Sequence, residues 1–71
     1  MDLDTVLKII NELFKDYCIK YEELERINIL IEYVPAENEL LHELIIRKYV
    51  CVEELIKIIK EIRYIFEGMS L

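Results

Sequence analysis

The chain has 71 residues, 55% of them apolar, and carries a formal charge of −6. Both parts are acidic: residues 2–33 hold eight acids against four bases, and residues 34–71 hold seven against five. No clustered Lys/Arg surface appears, so no nucleic-acid partner is expected and an anionic membrane surface is disfavoured.

One domain, residues 1–71, is the expected count for this length. So short a chain is marginally stable alone, and small scaffolds add disulfides, a metal or a partner. A single small core can hardly hide this much apolar material, which points to a partner. Cys18 and Cys51 form no CxxC pair, so a disulfide scaffold is not expected and a reduced, cytoplasmic setting is. They read as buried thiols acting as small hydrophobes. The start, MDLDTVLK, lacks a basic n-region and an apolar h-region. No apolar run is long enough to span a bilayer. Ile occurs 13 times and Gln is absent. That bias fits a thermophile, and an AT-rich genome produces it equally.

Punctuation is sparse. Pro35 divides the chain and Gly68 nearly ends it. Pro breaks helix interiors and Gly suits the position just past a helix end. Helical material is thus expected on both sides of residue 34. In the first half Leu3, Ile10, Tyr17, Leu24 and Ile31 recur every seven residues, with Val6, Leu13, Ile27 and Val34 as companions. In the second half Leu41, Leu55, Ile62 and Met69 pair with Ile45, Val52, Ile59 and Phe66. Both sets are a/d stripes of helices. Asp4–Lys8, Glu22–Arg26, Glu43–Arg47 and Glu53–Lys57 put acid before base four apart on the polar faces.

Residues 11–33 lie over residues 42–64 at an offset of 31, matching Glu12, Leu13, Glu22, Glu23, Leu24, Ile27, Ile31 and Tyr33 with Glu43, Leu44, Glu53, Glu54, Leu55, Ile58, Ile62 and Tyr64. Two repeats, 4–33 and 35–67, are one reading. Each would be a helix–turn–helix, with turns at Tyr17–Lys20 and Lys48–Cys51, the β-branched and aromatic stretches. The caps there, Lys20 and Cys51, are poor. The other reading is two long helices in an antiparallel hairpin that dimerises. The expectation is all-α, a small bundle of four short helices, with the long hairpin as the alternative.

Chemistry is sparse too. His42 stands between core-facing leucines and reads as a helix-flank residue. The acids alternate with bases on helix faces rather than meeting in a cleft. Cys18, His42 and Cys51 are too few and wrongly spaced for zinc. The expectation is therefore no enzyme, no catalytic residue, no cofactor and no metal.

Residues 40–55, LLHELIIRKYVCVEEL, resemble the recurring motif in the N-terminal modules of type II secretion and type IV pilus assembly ATPases. That motif can bind a cyclic dinucleotide. Its Arg-Leu-Gly and closing Gln have no counterpart here, and Lys48 stands near its second Gly, so the ligand does not carry over.

The function expected is a protein–protein interaction module, a small acidic regulator or adaptor that self-associates, most simply as a homodimer. The alternative is a helix–turn–helix transcriptional regulator or ligand-responsive module, with Val52–Phe66 as its second helix. The partner-binding residues expected are Ile29, Tyr33, Ile58, Ile62, Ile65 and Phe66, read as lying off the stripes or at the end of the last one.

Overall fold

A computed structural model describes residues 2–69 and contains two helices, α1 (Leu3–Tyr33) and α2 (Glu39–Gly68). The all-α class holds; the four short helices do not. Helix runs unbroken through Tyr17–Lys20 and through Lys48–Cys51. The weak propensity of those stretches is outweighed by the seam that crosses them, because packing overrides intrinsic preference.

The real caps lie where short polar side chains precede a helix. Asp2 accepts from the Thr5 amide at 2.7 Å and Asn38 accepts from the Leu40 amide at 2.9 Å, each satisfying an amide that has no partner within its helix. Pro35 sits in the connection, where the Asn38 amide donates to its carbonyl at 3.0 Å. The helices then run back along each other. At about 1.5 Å per residue α1 spans about 46 Å, and the molecule measures 53 × 15 × 14 Å. It is a rod two helices thick.

The seam obeys a strict seven-residue repeat. In α1 the inward positions are Val6, Ile10, Leu13, Tyr17, Lys20, Leu24, Ile27 and Ile31; in α2 they are Leu41, Leu44, Lys48, Cys51, Leu55, Ile58, Ile62 and Ile65. Each is buried or half-buried, and the spacing alternates three and four, as a coiled-coil seam requires. The register is set where the Cys51 thiol donates to the Lys20 carbonyl at 3.1 Å. Counted outward from that contact, Ile27 comes level with Leu44, Tyr17 with Leu55, Leu13 with Ile58 and Val6 with Ile65.

The second row of α2 needs correction. It is Leu44, Cys51, Ile58 and Ile65, one position before the row expected from the sequence; Ile45, Ile59 and Phe66 are exposed instead. Two apolar rows run side by side on this helix. The inner one is disguised by Cys51, the smaller and less hydrophobic member.

The core is thin. Val6, Ile10, Ile27, Leu44, Cys51 and Leu55 are buried, yet among the described residues no large side chain is wholly enclosed. Of the acid–base pairs expected, Glu22–Arg26 closes, at 3.7 Å. Arg63 also reaches Glu67 at 3.0 Å. Both pairs are solvent-exposed and contribute little.

Candidate functional site

Label the seam rows a (Ile10, Tyr17, Leu24, Ile31; Leu41, Lys48, Leu55, Ile62) and d (Val6, Leu13, Lys20, Ile27; Leu44, Cys51, Ile58, Ile65). Four residues after each a lies an e position, and three after each d lies a g position. In an antiparallel pair the e rows of both helices fall on one side of the seam and the g rows on the other. The grooves of the surface agree. One is lined by Phe14, Tyr17, Ile59 and Ile62, all e and a residues. Another is lined by Leu13, Lys20 and Ile58 of the d rows with Asp16, Glu54 and Glu61 of the g rows.

The two sides differ in chemistry. The e rows read Leu7, Phe14, Tyr21 and Asn28 on α1, and Ile45, Val52, Ile59 and Phe66 on α2. No charge interrupts them. All of the large ones except half-buried Val52 are exposed. Tyr21 stacks on Tyr17 with ring centroids 6.1 Å apart and planes 20° from parallel, which holds two rings of this side in fixed positions. Tyr49 and Ile56, next to the e row of α2, are exposed as well and widen the strip.

The other side is ionic at its centre. Lys20, entering from the seam, pairs with Glu54 across the helices and with Glu23 on its own helix at 3.6 Å. The hydrogen bond to Glu54, helped by both carboxylates, holds the Lys20 ammonium above its ordinary range. Ile46, Arg47, Val50 and Cys51 complete this hollow. Burial pushes the Cys51 thiol up, and the negative charge of Glu23 and Glu54 adds to the effect against the opposing charge of Lys20. A thiol so placed stays neutral and unreactive. The other cysteine is not buried: Cys18 is exposed on the outer surface of α1, and both thiols are free. The two thiols do not come together, because Cys18 faces out of the seam and Cys51 into it.

The six residues expected to bind a partner do not form one surface. Ile58 and Ile65, expected off the stripe, line the seam, and Ile62 is half-buried beside them. Ile29 and Tyr33 are exposed, Tyr33 at 80%, but on the outer face of α1 near the connection. Phe66 alone belongs to the exposed e row. The rest of that exposed row is Leu7, Phe14, Tyr21, Ile45 and Ile59. Their signal was present as a third apolar position per heptad, and it was mistaken on α2 for the seam itself.

Among the described residues, no group of three metal-ligating side chains comes together, and no helix is long and apolar enough to cross a membrane. The chain matches no protein-family model, no curated protein and no solved structure. The class established by the fold is that of an all-helical antiparallel hairpin, and its distinguishing surface is the apolar side.

Proposed function

We propose that this chain is a non-enzymatic interaction protein, a small regulator or adaptor that works by covering the apolar side of its hairpin with another helical surface. The observation that carries the reading is the uncharged row on both helices. Scattered surface apolar residues are ordinary; a contiguous strip running along a rod is an interface signature. The helix–turn–helix alternative draws nothing from the geometry. Recognition there uses a second helix set at a wide angle after a short turn, whereas Val52–Phe66 is the far half of one long helix antiparallel to α1.

The test is complementation in the native host. A Phe14→Glu/Ile59→Glu chain that retains its helicity should reproduce the defect of a deletion. A Glu61→Gln chain, changed on the ionic side, should complement. Full function with two charges on the apolar side would overturn the reading.

A further inference from the structure

From this reading of the apolar side we infer its occupant: a second copy of the same chain, packed side to side to make a four-helix bundle. Three observations converge on it.

The first is the repeat itself. A helix that meets one neighbour needs two apolar positions in seven, whereas a helix that meets two neighbours, as in a bundle, needs a third at e or g. Both helices here carry the third, and both at e. With the e rows on the same side, each helix is patterned for one neighbour within the hairpin and one beyond it.

The second is area. A compact monomer of 8.6 kDa exposes about 4,700 Å², and this chain exposes 5974 Å². A compact body of twice the mass exposes about 7,800 Å². Two separate hairpins reach that figure by burying about 4,000 Å² between them, which lies within the range of obligate homodimers, about 2,000–5,000 Å².

The third is charge. With −6 per chain, two copies repel unless the acids stay apart. The e rows hold no charge, while the opposite side gathers Asp16, Glu23, Glu54 and Glu61 with Lys20, Arg47 and Lys57. Pairing through the apolar sides therefore keeps these charged groups out of the contact and in water.

Sedimentation equilibrium of the whole chain over a range of concentrations tests the inference. The expected result is a dimer at micromolar concentration. Phe14→Glu and Ile59→Glu should each weaken it by about a hundredfold or more, and Ile19→Glu, an exposed apolar residue on the ionic side, should leave it unchanged. Wild-type thermal unfolding supplies a check that needs no variant: its midpoint should rise with concentration, as for any assembly that stabilises the fold by mass action.

A monomer up to high micromolar concentration, with a constant midpoint, would overturn self-pairing. If the Phe14→Glu/Ile59→Glu chain then still failed to complement, the interaction reading would stand with a different partner. A dimer untouched by either e-row charge would overturn the choice of surface and with it the reading it rests on.

Discussion

The two sides of the hairpin are built on the same seam and the same repeat, and they have opposite consequences. On the ionic side the flanking positions are Asp16, Glu23, Arg47, Glu54 and Glu61 along the middle, with Ile9, Leu30 and Leu40 exposed toward the ends, and Lys20 reaches out of the seam to Glu54. That side is content in water, because its charges are hydrated and paired at little net gain. On the apolar side the flanking positions are Leu7, Phe14, Tyr21, Ile45, Ile59 and Phe66, all facing solvent. In a lone hairpin that exposure is a standing loss, recovered at about 25 cal/mol per Å² only when the side is covered. The seam makes the hairpin, and in the proposed pairing the row beside it makes the contact with the second copy.

The largest effect expected separates the seam from the row beside it. Leu55→Ala removes a buried seam side chain and should lower unfolding stability by about 2–4 kcal/mol, toward the lower end because the core is thin. Read by urea denaturation, this loss should be present at every protein concentration. Ile59→Ala, four residues on but in the e row, should lower stability by less than about 1 kcal/mol in dilute solution and by more as concentration rises. Equal, concentration-independent losses at the two positions would show that the apolar side is not an interface.

A smaller effect is expected from the seam's charge. Lys20 occupies a position that a coiled coil fills with an apolar residue, and a polar residue there lowers stability while helping to fix register. Lys20→Leu should raise stability, since the pair with Glu54 is part-exposed and contributes little. Chemical denaturation reads this directly. A loss of stability would mean that the ionic side holds the helices together more than its exposure suggests.

Caps come next. Asn38→Ala should lower stability by about 0.5–2 kcal/mol, and Asp2→Ala by less, because Asn38 opens α2 at the connection whereas Asp2 sits at a chain end that can fray. The accepted hydrogen bonds from Thr5 hold the Asp2 carboxyl below its ordinary range. A group depressed in the folded state contributes stability that is present above the unfolded value, about 3.9, and is lost as pH falls through the folded one. Asp2→Asn should therefore flatten the acid limb of the stability curve, and an unchanged acid limb would rule the cap out as its source.

Much of this fold was legible in the sequence. Pro35 marks the connection, and the a and d rows of α1 stand in the sequence except at Lys20 and at the two ends, where Leu3 is exposed and Val34 lies past the helix. What misled was local: Tyr17–Lys20 and Lys48–Cys51 combine poor helix formers with a lysine in each seam, which mimics a phase break. Non-local packing erased it, with the Cys51 thiol bonding to the Lys20 carbonyl where two turns had been expected. The surface was less legible than the fold. With apolar residues at a, d and e, sequence alone cannot say which two rows form the seam. For that reason the sequence pattern puts Ile58 and Ile65 on the surface and Ile59 in the core, and packing against α1 reverses the assignment.

The smallest effect expected, in energy, is the clearest in signal: the two thiols report the two environments independently. Cys18 lies exposed on α1, so a thiol reagent at neutral pH should modify it at the rate of an unprotected cysteine. Cys51 is 3% exposed, donates to the Lys20 carbonyl and has its thiol pushed up by burial. It should react only when the helices part, so its rate should track the opening equilibrium and rise with urea. The sign of the pH effect follows from the same shift. A thiol raised in the folded state contributes stability that is fully present below the unfolded value, about 8.5, and is lost as pH climbs through the folded one. The raised ammonium of Lys20 acts in the same direction at higher pH. Stability should thus be level through neutrality and decline above about pH 9, and Cys51→Ala should remove the earlier part of that decline while itself costing about 1 kcal/mol in packing. Equal labelling rates for the two cysteines in the folded chain would show that the register set by Cys51 and Lys20 is wrong, and with it the assignment of the e rows to one side.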